Sequence, residues 1–514
     1  MIVEASPNEA HAQAPVIQWQ KNFGGSASDY AYSIIPTTDG GYITAGRSNS
    51  IGNDVTGNHG GNDCWIVKTN SMGSIDWQRT YGGSGDDGAY SIRQTSDGGY
   101  ILAAYSTSND GDVDINKGGE DFWIVKLDID GNIQWQKSYG GSLDDTPFSI
   151  LQTTDGGYVI SGSSYSSDSD LTVNNGALDE WIVKIDSLGT LQWQRSFGGS
   201  DYDYAAVILQ TDDGGYIVAG GAGTNGGDVT GCHGGGDVWI IKMDAMALVQ
   251  WKKCYGGSGY DDCYSFIKTN DGGYIICGVC SANNGDVSGN HGGNDEWLVK
   301  IDSTGIIQWQ KSFGGTGREF GNAVVQTSDG GFATCATTAS NNGDVTNNHG
   351  GNDAWFLSTD SFGNITSQKC FGGSVDEDAW SMIQTTDGGF IFAGESLSNN
   401  GDVLANYGGE DFMVMKLGAI NTGITENSVV ENGIGVFPNP VSVNNLVASF
   451  VIENIASATL KLFDMEGKLI SKQTMSVVPG LNDIPFDLKN VSPGIYILNM
   501  ENGNHSAKTM VIVK

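Results

Sequence analysis

Apolar residues in this chain come in short runs, largely alternating with polar ones, and each run is bounded by Gly, Asp, Asn or Ser. Ser91-Ile-Arg-Gln-Thr95 is followed by Asp97-Gly98-Gly99 and Tyr100-Ile-Leu-Ala-Ala104. After a stretch of about 16 residues come Asp121-Phe-Trp-Ile-Val-Lys-Leu127, a turn at Asp130-Gly131-Asn132, and Ile133-Gln-Trp-Gln-Lys137. Runs of this length between turn residues predict four antiparallel strands. Asp-Gly-Gly supplies the positive-φ positions of a tight hairpin between the first two.

The unit recurs without insertion or deletion. Asp-Gly-Gly followed by an aromatic begins at Asp39, Asp97, Asp155, Asp213, Asp271, Asp329 and Asp387, always 58 residues apart. Four short strands are the content of a propeller blade, and a strict period of this length marks units that bury their apolar faces against one another. Seven copies predict an all-β protein with a seven-bladed β-propeller over residues 16–417. The pattern starts out of phase, since Ile17-Gln-Trp-Gln-Lys21 is a fourth strand without its first three and the last copy ends after Phe412-Met-Val-Met-Lys416. Pairing the N-terminal strand with the last blade would close the ring and remove two exposed edges.

Tryptophan follows the same period. Trp19, Trp77, Trp135, Trp193, Trp251 and Trp309 share one position, replaced by Ser367, and Trp65, Trp123, Trp181, Trp239, Trp297 and Trp355 share another, replaced by Met413. Twelve repeated indoles predict packing between blades, and only Trp380 lies outside the pattern. Cysteines substitute for small residues at repeat positions, and Cys277-x-x-Cys280 has no second pair at zinc-site spacing. In an oxidising compartment a disulfide among Cys254, Cys263, Cys277 and Cys280 is the alternative to that small-residue reading. His59, His233, His291 and His349 share one loop position, replaced by Lys117, Asn175 and Tyr407, and read as structural.

Composition divides the chain. All 13 Trp, all 8 Cys and 72 of the 77 Gly precede residue 435. This gives an N-terminal segment 1–15, the propeller, a polar linker 418–434 and a second fold over 435–514. In segment 1–15, Ala12-Gln13-Ala14 is similar to the end of a signal peptide. No apolar run is long enough to span a bilayer as a helix. The net charge of -35 falls wholly on the front part, because residues 435–514 hold six Lys and six acidic residues. Such a field opposes nucleic acid and anionic membrane and favours divalent cations or basic partners.

Strand parity puts the Asp-Gly-Gly and Asp-x-x-Gly turns on one face of the disc. The other face receives the long acidic loops, such as Asn284-Gly-Asp-Val-Ser-Gly-Asn-His-Gly-Gly-Asn-Asp295, and the Gly-rich links between blades. Hard oxygens in those loops suit calcium, with Asp286, Asn290 and Asp295 as candidate ligands in one loop, and Asp228 with Asp237 and Asp344 with Asp353 in others. No spacing matches an EF-hand or a nonapeptide calcium repeat, and turn capping by Asp and Asn accounts for the same residues. Departures from the repeat, Arg318 in a link and Trp380 outside the Trp pattern, are candidates for a ligand face, as is Ala177-Leu178 in place of Gly-Gly. No inner strand carries a carboxylate pair of the glycosidase kind. Repetition favours a module binding glycan or protein through the acidic loop face. A glycan-active lyase or hydrolase at the channel mouth and a structural surface component are the alternatives.

Residues 435–514 read as alternating strands of a small Ig-like β-sandwich. Phe437-Pro438-Asn439-Pro440, the turn Leu462-Phe-Asp-Met-Glu-Gly467-Lys468, Ser492-Pro-Gly494-Ile-Tyr496 and the closing strand Lys508 to Lys514 occur in that order. In these residues the tail resembles the C-terminal sorting domain of type A cargo of the type IX secretion system of Bacteroidetes. The resemblance implies export to the periplasm, outer-membrane passage guided by this domain, and cleavage by a sortase-like peptidase, expected within the linker. Such proteins are released or held at the cell surface. The front units resemble uncharacterised propeller repeats that precede such tails, which implies a fold rather than an activity.

Overall fold

In the computed structural model, residues 14–171, 173–223, 225–420, 435–437, 445–452, 456–477, 480–489, 491–502 and 505–513 are described. The chain divides into two compact units, Pro15–Ala419 and a second containing the tail.

The first unit is built of seven four-stranded antiparallel sheets. The second sheet shows the plan, with strands Asp87–Gln94, Tyr100–Ser106, Asp121–Leu127 and Ile133–Tyr139 from the inside outwards. In the seventh sheet the strands Glu377–Gln384, Phe390–Ser396 and Asp411–Leu417 are completed by Ile17–Phe23, with Trp19 opposite Lys416 and Phe23 opposite Phe412. Inner strands are stitched to their neighbours by a recurring Ser. The Ile92 amide donates to Ser33 Oγ, Val324 to Ser265 (3.2 Å), and Ile34 to Ser381 (3.1 Å), which joins the first sheet to the last. Contacts between consecutive inner strands run around the whole series, and Glu377–Gln384 touches Asp29–Pro36. The result is a ring of sheets, a β-propeller.

Middle strands are buried along their length, apart from half-buried Arg47 in Tyr42–Ser48, because both faces of each sheet are covered by a neighbouring sheet. The third-strand indoles Trp65, Trp123, Trp181, Trp239, Trp297 and Trp355 are wholly buried. Trp181 meets Phe122 of the preceding sheet at 4.5 Å between centroids, and Trp65 meets Phe412 at 4.4 Å. Fourth-strand indoles pack on the aromatic after the next Asp-Gly-Gly, as Trp77 does on Tyr100 at 6.2 Å. The expected blade-to-blade role of Trp is thus met.

The Asp-Gly-Gly turn has an anchor that the sequence pattern did not reveal. Gly98 takes φ +87°, Asp97 Oδ1 accepts from the Gly99 amide at 3.0 Å, and Lys126, buried on the third strand, reaches Asp97 Oδ2 at 3.0 Å. Lys68, Lys184, Lys242, Lys300 and Lys416 repeat this pair with their own turns, while the sixth sheet has Ser358 in place of the Lys. The Asp-x-x-Gly turn needs the left-handed conformation too, and Ala247 adopts it at φ +58° where five other copies place Gly. Ala247→Gly is expected to raise the unfolding free energy by up to about 1 kcal/mol, measured by chemical denaturation.

The disulfide falls elsewhere than expected. Cys254 pairs with Cys232, Cα atoms 5.0 Å apart, whereas Cys263, Cys277 and Cys280 are free and buried. Cys232 stands where six copies have Asn, and those Asn side chains brace the long loop, as Asn290 Nδ2 does by donating to Cys280 O at 3.1 Å. In the fourth copy a covalent bond replaces that hydrogen-bonded brace.

The tail forms a three-stranded and a four-stranded antiparallel sheet around Leu446, Leu460, Leu462, Phe486, Leu498 and Val511. Gly467 turns at φ +83° beside Asp464, whose carboxylate caps the Glu466 and Lys468 amides. Tyr496 donates its hydroxyl to Ser492 O at 2.7 Å, Gly494 opens the strand that carries it, and Lys508 is exposed opposite Asn499. Pro438, Asn439, Pro440 and Lys514 lie outside the described residues.

Candidate functional site

Every inner strand carries one β-bulge, always before the recurring Ser or its replacement. The unpaired residue is Tyr32, Tyr90, Phe148, Ala206, Tyr264, Asn322 or Trp380 from the first sheet to the seventh. Bulges re-aim side chains, and here the column they control varies from sheet to sheet. Its rings touch from sheet to sheet. Trp380 meets Tyr32 at 6.4 Å, Tyr32 meets Tyr90 at 5.1 Å, Tyr90 meets Phe148 at 5.6 Å, and Phe148 meets Tyr204 at 5.9 Å. Tyr32, Tyr90, Phe148 and Tyr204 are half-buried and Trp380 is 39% exposed, so this belt keeps apolar surface open along the propeller axis.

Polar groups complete the belt from the second strands. Arg47, opposite Tyr30, lies 4.6 Å from the centroid of the Tyr30 ring and 5.9 Å from that of Tyr32, and it donates through Nη1 to Tyr105 Oη at 3.3 Å. Burial works against its charge, but the pull of Tyr32 and Tyr105 outweighs it and raises its pKa. Glu395, opposite Asp378, is buried and accepts from Trp380 Nε1 at 2.8 and 2.7 Å. Burial, aided by Asp378 and Glu410, pushes the Glu395 carboxyl up to about 8, so it is largely protonated at neutral pH. On the far side of the axis Asp262 accepts from the hydroxyls of Tyr204 and Tyr260, and burial raises its pKa as well. Two carboxyls, one guanidinium and a run of rings thus occupy non-repeating positions.

Of the two sequence candidates for a ligand face, Trp380 belongs to this cluster. Arg318 is exposed on the link next to Asn294, and among the described residues no hydrogen bond, ion pair or ring contact joins it to Trp380. Sequence reasoning missed Tyr32, Arg47, Asp378 and Glu395, because the carboxyl pair sits on two strands and not within one inner strand.

The acidic loops are organised otherwise than their spacing suggests. Gly256 donates its amide to Asp286 Oδ2 at 3.3 Å, and a Cβ on Gly256 would lie 2.0 Å from Asp237 Oδ1 and 2.9 Å from Asp261 Oδ2. Asp286 therefore sits with the third-strand acid of the preceding repeat, while Asp295 of its own loop packs on Gly314 beside Glu319 and near Asp344. Asp228 likewise faces Asp179 rather than Asp237, and Asp353 shares Gly372 with Glu377. Asn290 is committed to the loop, accepting from the Gly292 amide at 3.1 Å. The glycine Cα fills the space between the paired carboxyls, and among the described residues no group of three or more His, Cys, Asp and Glu could hold a metal ion. Where His is present, as at His291, Nδ1 lies 2.7 Å from Asp295 Oδ2. A cavity of about 470 Å³ between the first and second sheets is lined by repeat positions such as His59, Gln78, Arg79 and Asp112. No helix among the described residues is long and apolar enough to cross a membrane.

The chain is similar to the regulatory protein FlaEY of Caulobacter vibrioides, 27% identical over 200 residues, which is 35% of this chain and 20% of that protein. Among solved structures the chain is similar to an ulvan lyase of a polysaccharide lyase family, at 11% identity over 77% of this chain and 96% of that one, with a TM-score of 0.43. It is also similar to Sqt1 from Chaetomium thermophilum, at 9% identity over 78% of this chain and 100% of that one, with a TM-score of 0.41. Residues 435–514 match the family model of the secretion system C-terminal sorting domain. The tail is therefore a sorting domain of the type IX secretion system, and the chain that carries it is a secreted or cell-surface protein.

Proposed function

We propose that this protein is a glycan-binding module, displayed on or released from the cell surface, whose ligand sits on the axial belt of Trp380, Tyr32, Tyr90 and Phe148. The observation that carries this reading is that the belt breaks the repeat. Architecture alone asks every sheet for the same residue, yet the bulge column supplies four large rings, a Tyr on the far side, an Ala and an Asn. Half-open rings flanked by a few polar groups suit a ring-shaped, hydroxyl-rich ligand. The acidic loops are a weaker choice, since Asp110, Asp286 and Asp344 accept from backbone amides of the adjoining links. The tail would engage the secretion machinery and be cleaved within 418–434, leaving residues 16–417 as the working part. Trp380→Ala is expected to weaken binding to a glycan array by about tenfold or more in a protein that remains folded. Unchanged binding by that variant would remove the axial site.

A glycan-cleaving activity at the same place is the second reading, favoured by the cross-strand pair of Asp378 and Glu395, whose carboxyl is protonated near neutral pH. Release of new reducing ends from any bound polysaccharide, abolished in Glu395→Gln, would establish it; its absence leaves the binding reading alone.

A further inference from the structure

We propose that the axial site selects an acidic saccharide, a pyranose bearing a carboxylate, and that Arg47 is the residue that recognises the acid. This rests on the glycan-binding reading above and goes further by naming the ligand class.

Arg47 is an anomaly in its own protein. The chain has 25 basic residues against 60 acidic ones, and the buried third-strand lysines have acids of their own, as Lys68 has Asp39, Lys126 has Asp97 and Lys416 has Asp387, while the other inward arginine, Arg93, donates to Ile92 O. Arg47 makes no ion pair among the described residues, and its Nε is buried without a partner. Three acids act on it without pairing, and each has a hydrogen-bond partner elsewhere: Glu395 with Trp380, Glu410 with Ser28 and Glu120 with Thr146. A guanidinium with acids nearby but none in direct contact can take an external anion as its first direct partner.

Position and rigidity agree. The equivalent residues of the other sheets are Tyr105, Ser163, Gly221, Val279, Thr337 and Glu395, so nothing in the blade architecture calls for Arg. The Tyr30 and Tyr32 rings and the Tyr105 hydroxyl fix the guanidinium plane before any ligand arrives. A planar fork held in place pairs with a carboxylate at low entropic cost. Tyr32 lies under both the guanidinium and the edge of Trp380, so a sugar ring stacked on Trp380 would bring a carboxylate at its rim towards Arg47. The net charge of -35 opposes polyanions at long range, but exposed charges more than about 8 Å away are screened at physiological ionic strength, whereas this contact is direct.

The test is calorimetric titration of the full chain with galacturonate and glucuronate oligosaccharides, each against its neutral hexose counterpart. Wild type is expected to bind at least one uronate about tenfold tighter than the neutral sugar. Arg47→Gln is expected to abolish that preference while keeping neutral binding, and Arg47→Lys to keep part of it; Trp380→Ala is expected to weaken both sugars alike. Equal affinity for neutral and acidic sugars, or an unchanged uronate affinity in a folded Arg47→Gln, overturns the proposal and leaves the glycan reading standing. Binding of no saccharide, or Arg47-dependent binding of an acidic peptide alone, overturns both.

Discussion

Trp123→Ala is expected to cost about 4 kcal/mol of stability, enough to unfold a large fraction of the propeller at physiological temperature. The indole has no exposed surface, sits in one core with Tyr100, Leu102 and Val125, and anchors its Nε1–H on Gln136 at 2.9 Å. Truncation opens a cavity that strands on both sides cannot collapse into, because each sheet is held by its neighbours in the ring, and it strands the Gln136 carbonyl. The seventh copy has Met413 at this position, so Trp123→Met is expected to recover a good part of the loss. Chemical denaturation of the two variants beside wild type checks both statements. Equal stability of Trp123→Ala and wild type would contradict a packing role for the indole between sheets.

The second large effect is a stability that rises on mild acidification. Burial pushes the carboxyls of Asp121 and Asp411 up to about 7 and those of Asp145, Asp203 and Asp261 to about 6. Oδ1 of both Asp121 and Asp411 is buried without a partner. In the unfolded chain these groups titrate near 4. The folded state therefore holds protons more tightly, and stability is greatest below about 4 and falls as pH rises from there to about 7. The turn acids act with the opposite sign. At Asp97 burial pulls upward, but hydrogen bonds from Thr95, Lys126 and Gly99 outweigh it and hold the carboxyl near 2, as at Asp39 and Asp155. Their contribution is present above about 4 and lost as pH falls towards 2. Together these place the maximum near pH 4 to 5, with a melting temperature at least about 5 °C higher at pH 5 than at pH 8. A melting temperature that climbs steadily from pH 5 to 8 would show that the junction carboxyls are charged and satisfied.

The ring of sheets could be read from the sequence because one physical requirement recurs: each unit buries the same faces against the next, so strand positions, turns and Trp columns repeat every 58 residues. The axial site could not. Arg47 and Glu395 lie on second strands, in a column whose other members are Tyr, Ser, Gly, Val and Thr, and a bulge decides where Trp380 points. Side-chain direction at a bulge depends on the backbone and leaves no periodic trace. The loop acids misled for a related reason. Asp286 and Asp295 are close in sequence, but each faces a different neighbour across a gap between sheets; the true partner of Asp286 is Gly256, 30 residues before it, a spacing that recurs from copy to copy but lies outside the loop where ligands were sought. Cys232 did leave a signal, since it alone interrupts a column of six Asn, and the partner Cys254 was in view.

The pairing of Ile17–Phe23 with Asp411–Leu417 sets the order in which the chain can reach its final state. The sheets between them consist of strands adjacent in sequence and can form one after another as the chain emerges. The seventh waits for a strand made some four hundred residues earlier, so Ile17–Phe23 stays unpaired until synthesis has passed Leu417. Loop closure over that span adds little entropy per residue, but it makes the final step a search between distant ends. A chain stalled before that step presents two open sheet edges, and a factor that holds either edge would keep the whole propeller from closing.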